Sequence, residues 1–224
     1  MIFDENHDKI ETVFNREIEG TKKLIIGDFR NETIEFLQNN EWEFTEKVDG
    51  TNVRVCWDDH KVSFAGRTER AELPKNLVNA LNEIFGTSEA EELFEQTYGD
   101  KEVILFGEGY GGKIQGCGHG YRPDEWFILF DVLIGDNYQS REWVEKTAQM
   151  FGIQVVPILF TGTIRDGIKF VCQHPKSTVS IDDIYMEGLV GRPKVELKDR
   201  RGNRVIVKIK WNDFKDIADT LGNE

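Results

Sequence analysis

The chain has 224 residues, of which 39% are hydrophobic and 31% charged, and a formal net charge of -13. This is the balance of an ordinary soluble globular protein long enough to bury a substantial core. So much negative charge excludes broad, non-specific binding of nucleic acid, which needs lysine and arginine to neutralise phosphates, yet leaves room for a local basic site. No apolar run reaches membrane-spanning length, the N-terminus has no basic stretch leading into an apolar one, and three dispersed cysteines (Cys56, Cys117, Cys172) suit a reducing compartment. The expected location is cytoplasmic, with no membrane partner.

In chain order, residues 1–39 read as a helical lead-in: Ile10, Val13, Phe14, Glu17 and Ile18 give a partly amphipathic face. Trp42 to Lys47, Val53 to Trp57 and Lys61 to Ala65 read as antiparallel strands, interrupted by an Asp49-Gly50 turn and by Asp58-Asp59-His60. From Lys75 to Phe94 the apolar period changes to that of a helix, broken near Gly86. Val103 to Gly109 returns to strand, and a loop with six glycines between Gly109 and Tyr121 must border or cover something. Trp126 to Leu133 is apolar apart from Asp131 and reads as a central strand, followed by a helix from Ser140 to Phe151 with Ser140 as its cap.

The remaining elements are a strand over Val155 to Phe160, a short helix or strand over Ile164 to Val171, strands at Tyr185–Gly191 and Val205–Trp211, and a closing helix from Asp213 to Leu221. Leu197 to Asn203 makes the hairpin between the last two strands. No linker or internal repeat interrupts the chain, so the expectation is a single domain over 1–224, with 40–212 as its catalytic core.

Candidate chemistry gathers at strand ends: Lys47 before a turn, Glu108 before the glycine-rich loop, Glu187 before Gly188, and Lys208 with Lys210. Residues two apart on a strand share a face, so Lys208 and Lys210 point the same way while Val207, Ile209 and Trp211 fill the other. Two like charges on one face ask for an anion nearby, a phosphate or a carboxylate. A lysine acts as a nucleophile only through its neutral form, and neighbouring cations favour that form while neutralising a phosphoryl group under attack. Glu108 and Glu187 suit ribose hydroxyls or a divalent ion. The pairs Cys117-Gly118-His119 and Cys172-Gln173-His174 have metal-like local spacing, although zinc sites usually use tighter pairs.

Lys47-Val48-Asp49-Gly50-Thr51-Asn52 resembles motif I of the covalent nucleotidyltransferases, the ATP-dependent RNA and DNA ligases and mRNA capping enzymes. Its ending in Asn is similar to the RNA ligases that seal breaks in duplexed RNA and to RNA-editing ligases. Phe106-Gly107-Glu108-Gly109 resembles motif III, Phe130-Asp131-Val132 motif IIIa, Glu187-Gly188-Leu189-Val190 motif IV, and Val207-Lys208-Ile209-Lys210 motif V. Each motif alone is weak, but their order from 47 to 210 is specific.

The resemblance implies an α+β fold, an adenylyltransferase (ATP-grasp-like) domain with two antiparallel β-sheets enclosing the nucleotide and flanking helices. It implies an ATP-dependent RNA ligase that joins 3'-OH and 5'-phosphate ends, with Lys47 forming the lysyl-adenylate and Lys208 and Lys210 assisting at the α-phosphate. It assigns Glu46 to the adenine amino group, Asn52 or Arg54 to a phosphate or the 3'-OH end, Arg67 to the ribose or 5'-phosphate, Glu108 to the ribose and Phe130 to stacking on adenine. Val48 belongs to the same nucleotide pocket, and Glu187 with Asp49 would hold magnesium or manganese. The expected partner is nicked or broken RNA, duplexed or bridged, acted on by a monomer.

The resemblance also implies a further C-terminal domain that this chain, ending at Glu224, has no room for. The expectation is that the catalytic core suffices or that a helper domain or protein assists it. A small DNA ligase and an end-binding module without turnover are the competing readings, while a capping guanylyltransferase would take GTP.

Overall fold

The computed structural model describes residues 10–68 and 70–221. These fall into two compact units, and the chain runs from the second unit (9–48) into the first (49–156) and back (157–178 and 183 onward), with 179–182 assigned to the first.

The second unit opens with β1 (Glu11–Thr12), β2 (Phe14–Arg16), β3 (Leu24–Phe29), α1 (Glu32–Leu37) and β4 (Trp42–Lys47). The helical expectation for 1–39 is therefore corrected over 11–29, and its part over 1–9 lies outside the described residues. Val13 and Phe14 are buried because β2 pairs with β3 and Phe14 packs on Phe29 and Phe214, with ring centroids 5.0 and 6.5 Å away. Ile10, Val13 and Phe14 have helical spacing by coincidence, a known ambiguity of short apolar runs. The helix that does form, α1, is capped by Asn31, whose side chain accepts from Ile34 N at 2.9 Å.

The first unit contributes β5 (Thr51–Asp58), β6 (Lys61–Gly66), α2 (Lys75–Phe85), α3 (Ser88–Tyr98), β7 (Val103–Gly111), α4 (Gly118–Tyr121), β8 (Glu125–Ile134), β9 (Asn137–Tyr138), α5 (Arg141–Phe151) and β10 (Gln154–Val155). Its sheet runs β10-β8-β7-β5-β6, with β9 beside β8. Every second residue of the central strands (Val53, Val55, Trp57, Val103, Leu105) joins Leu77, Leu81, Phe85, Phe94 and Val144 from α2, α3 and α5 in one buried cluster. The alternate residues Cys56, Ile104 and Phe106, with Leu133, form a smaller cluster against which Phe130 packs. This division is the two-residue periodicity of a strand made visible.

The chain then returns to the second unit with β11 (Ile158–Gly162), α6 (Ile164–Cys172), β12 (Gly188–Pro193), β13 (Val207–Lys210), α7 (Trp211–Phe214) and α8 (Ala218–Leu221). Its main sheet runs β1-β13-β12-β4-β11, and β2 and β3 pair separately. The single strand expected over Val155 to Phe160 is two strands in different sheets; Pro157, which lacks a backbone N–H, stands between them at the crossing of units. Helix α6 lies over this sheet by way of Gly167, where an added Cβ would sit 2.7 Å from the Phe44 ring.

The described residues thus form an α+β protein with three sheets, which overturns the expectation of two antiparallel ones. Both large sheets are mixed: β1 pairs with β13 and β10 with β8 in parallel. In each case a two-residue strand from elsewhere in the chain has been added at an edge, where unpaired backbone groups accept either direction. The ATP-grasp-like expectation falls with it, since these strand orders do not carry that topology.

Candidate active site

Lys47 ends β4, and the register sets it opposite Gly188 on β12, which in turn faces Lys210 on β13. This row brings three charged side chains of the second unit together. Lys47 Nζ donates to Glu187 Oε2, and Lys210 Nζ lies 2.6 Å from Glu187 Oε1. Trp211 N donates to the Glu187 carbonyl at 3.0 Å, fixing the backbone that carries the acid. Burial pushes the Glu187 carboxyl up, but Lys47 and Lys210 outweigh it and hold it below the usual carboxylate range. The strands approach closely here because residue 188 is glycine: a Cβ would stand 2.8 Å from Lys210 Cα. On β13, Val207 and Ile209 are buried and Lys208 and Lys210 half-buried, the alternation expected of that strand.

Glu46, one residue earlier, faces the other way and is buried. Its carboxylate accepts from Ser177 Oγ, from Thr178 N at 2.7 Å and from Thr178 Oγ1 at 2.7 Å. Glu46 thereby holds the 177–178 segment against β4. The same segment pairs with the strand end leading to Glu187, through Ser177 N to Ile184 O (2.9 Å) and Met186 N to Pro175 O (3.0 Å). His174 is sandwiched between Tyr185 and Trp211, 4.0 Å from each ring. Adjacent residues of β4 therefore reach Glu187 by two routes, Lys47 directly and Glu46 through 177–186. Val48 is buried at the end of the unit.

The first unit holds a second group. Asn52, Arg54 and Cys56 share one face of β5, and the register places Glu108, Phe106 and Ile104 of β7 beside them, with Ile128 beyond Glu108 on β8. Phe130 is half-buried on this unit, packed on the Cys56–Phe106 cluster. Asn52 Oδ1 is buried without a hydrogen-bond partner, and such an orphaned acceptor in a native protein calls for an explanation. Arg54 is fully buried and its Nε donates to Gly66 O at 2.9 Å, tying β5 to the end of β6. Arg67, the next residue after Gly66, is exposed.

The Asp-Gly turn after β4 is pinned by the glycine-rich loop. Asp49 N donates to Tyr121 Oη (3.2 Å), Cys117 Sγ to Asp49 Oδ2 (3.3 Å), and Gln115 Nε2 to Gly50 O (2.9 Å). Gly50 is required by contact with Glu108, whose Cγ would be 2.7 Å from an added Cβ. Gln115, Tyr121, Ser177 and Thr178 are residues that no motif pointed to, and Cys117 and His174 were singled out only for a metal-like spacing; the run of glycines located the loop without naming its anchors.

No group of three or more His, Cys, Asp or Glu side chains among the described residues is placed to hold a metal ion, and none of the three cysteines is in a disulfide. His174 lies in the aromatic stack, and Cys172 packs against the second unit's core. Within its own unit Glu187 is a single carboxylate, which fits an ion arriving with substrate phosphates and waters, as magnesium commonly does, better than a resident one.

Lys47, Glu187 and Lys210 thus meet across β4, β12 and β13. The sequence profile of RNA ligases matches residues 40–210, and the chain belongs to that family. Solved structures of Naegleria gruberi RNA ligase share the fold. The form with pyrophosphate is 22% identical with a TM-score of 0.64, covering 97% of this chain and 59% of that one. A variant with ATP and manganese is 21% identical with a TM-score of 0.64, covering 95% and 58%. The chain spans 53% to 63% of the length of such structures. No curated sequence matches it, and no helix among the described residues is long and apolar enough to cross a membrane.

Proposed function

We propose that the chain is an ATP-dependent RNA ligase that joins 3'-OH and 5'-phosphate ends through a lysyl-adenylate on Lys47. The observation that carries this reading is the Glu187 carboxylate shared by Lys47 and Lys210 at the meeting of β4, β12 and β13, in a member of the RNA ligase family. It is supported by the ATP and manganese found with the Naegleria variants.

Lys47 rests as an ammonium paired with a carboxylate, and attack needs its lone pair, so the pair with Glu187 is given up before chemistry. One proton passes from Nζ to water to free the lone pair, the nitrogen bonds to the α-phosphorus of ATP as the bond to the bridging oxygen breaks, pyrophosphate leaves with that electron pair, and a second proton leaves the nitrogen to water. Lys210 and Lys208 face the growing charge on the α-phosphate oxygens. In the next step the RNA 5'-phosphate takes the adenylyl group from Lys47, and the 3'-OH then displaces AMP. Glu187, once free of Lys47, would help to hold magnesium or manganese, which would neutralise phosphate charge when bound.

Asn52 and Glu108 are assigned to the nucleotide or the strand end, with Phe130 and Arg67. Glu46 is reassigned to positioning, and Arg54 to the support of β5 and β6. The chain works as one nucleotidyltransferase domain with 40–212 as catalytic core, on nicked or bridged RNA. A cytoplasmic setting fits its free cysteines. The test is sealing of nicked duplexes of RNA, of RNA paired with DNA, and of DNA, each with ATP and manganese. Sealing confined to DNA, or absence of sealing on all three, rejects the assignment.

A further inference from the structure

The chain is acidic overall, yet the segment between β12 and β13 is not. From Lys194 to Arg204 it carries five cations (Lys194, Lys198, Arg200, Arg201, Arg204) against two acids, Glu196 and Asp199, in a chain of net charge -13. The structure shows how each acid is used. Glu196 receives both Nε and Nη2 of Arg204, at 2.7 and 2.8 Å. Asp199 caps the turn, accepting from the backbone N–H groups of Arg201 and Asn203 at 2.8 Å each and from Asn203 Nδ2 at 3.1 Å. Lys194 reaches Glu41 at 3.4 Å. Lys198, Arg200 and Arg201 are exposed and form no ion pair among the described residues.

The turn that presents them is held in shape. Asp199 N donates to Asn203 O (2.8 Å), Gly202 N to Asp199 O (3.0 Å) and Val205 N to Leu197 O (2.9 Å), and Gly202 takes a φ of +86 that favours glycine. Three cations on a braced hairpin, in a chain of net charge -13, form a local site for polyanion at low ordering cost. Its position is fixed by the strand register. Gly188 faces Lys210 at the catalytic end of the pair and Gly191 faces Val207 toward the hairpin, so the tip lies beyond the far end of β12 and β13. At about 3.3 Å per residue that is on the order of 20 to 30 Å from Glu187.

We propose that the 198–201 hairpin tip is an RNA-docking surface, gripping backbone phosphates roughly seven to eleven nucleotides from the break being sealed, at about 2.8 Å of rise per base pair of A-form RNA. The inference rests on the ligase reading for the identity of the polyanion. The hairpin supplies phosphate contacts, which hold a duplex in position without reading its sequence.

The experiment compares wild type with Lys198→Ala/Arg200→Ala/Arg201→Ala and with the charge-keeping Arg200→Lys/Arg201→Lys. Binding of a nicked RNA duplex with twelve-base-pair arms (about 12, beyond the reach estimated above) is followed by fluorescence anisotropy between low and moderate salt. The alanine variant is expected to bind about 10- to 100-fold more weakly, with a log–log salt slope smaller by about 2 to 3. The lysine variant is expected to bind like wild type, and covalent labelling with ATP to be unchanged in all three. On arms cut to about five base pairs the defect is expected to shrink to less than about threefold. Unchanged affinity and salt slope in the alanine variant, an equal loss in the lysine variant, or a wild type that binds no RNA overturns the proposal. Failure of the wild type to label with ATP sinks the ligase reading instead, leaving the binding result to stand by itself.

Discussion

Lys47 and Glu187, 140 residues apart, are ion-paired within the second unit, and the second oxygen of the same carboxylate holds Lys210 at 2.6 Å. The acid is the hub: each lysine is placed by its bond to Glu187, and Glu187 by its backbone bond to Trp211 N. Removing it leaves two ammonium groups, on the strands either side of β12, without their counter-charge.

The first prediction follows from the sign of the Glu187 shift. Its carboxyl titrates lower in the folded chain than the ordinary value of about 4.3. Its stabilising contribution is therefore complete above that pH and is lost as pH falls through the lower folded value. Glu187→Gln is expected to melt about 3 to 8 °C below wild type at pH 7, the equivalent of about 1 to 3 kcal/mol. Melting curves between pH 7 and pH 3 check this: the gap is expected to close below about pH 4, and a gap that stays constant would assign the loss to packing.

Glu46 and the 177–178 segment give a second prediction. If Glu46 acts by holding that segment, Ser177→Ala/Thr178→Val is expected to reduce Lys47 adenylylation about tenfold, close to the loss in Glu46→Gln, without altering preference for ATP over GTP. Two of the three hydrogen bonds to a buried carboxylate are removed, at about 1.5 to 3 kcal/mol each before relaxation, while that from the backbone N–H of residue 178 stays. Rates at saturating nucleotide decide it. A change in base preference in the Glu46 variant alone would return the residue to the adenine.

Asn52 separates stability from function. Its buried Oδ1 has no partner, so Asn52→Ala removes an uncompensated acceptor and is expected to leave the melting temperature within about 2 °C of wild type or raise it. Sealing of nicked RNA is expected to fall at least about tenfold, the loss of one good polar contact. A variant that melts much lower with unchanged sealing would show that Asn52 serves the fold.

A fourth prediction concerns the seat of α6. An added Cβ at Gly167 meets the Phe44 ring at 2.7 Å, and one at Gly191 meets it at 2.6 Å. Gly167→Val is expected to cost about 1 to 3 kcal/mol, since Phe44 is fully buried and has nowhere to turn. Phe44→Leu in the same chain is expected to recover part of the loss, measured by urea denaturation. Additive losses would exclude the contact.

How much of this could be read from the chain depends on which residues carry local signals. Lys208 and Lys210 were legible because alternation along one strand places them on one side, whatever the sheet around them. Helices α2, α3 and α5 were legible from their apolar period, and Ser140 was legible as a cap, with Trp143 N reaching its Oγ at 3.4 Å. The edge strand β1 was not, since two residues hold no period and its register with Val207 and Lys208 is set from the far end of the sequence. The direction of Glu46 and the burial of Arg54 depend on which sheet face is covered, which strand spacing leaves open. Pro157 could have divided the expected strand, for its missing N–H was a local signal in plain view.

The most direct measurement is capture of the covalent intermediate. Wild-type protein incubated with α-labelled ATP and manganese, without RNA, is digested and the labelled peptide identified by mass spectrometry. The expected result is one adenylyl group on the nitrogen of Lys47, acid-labile as a phosphoramidate, absent in Lys47→Ala and strongly reduced in Lys210→Ala. A label on any other residue, or full labelling of Lys47→Ala, would contradict Lys47 as the nucleophile.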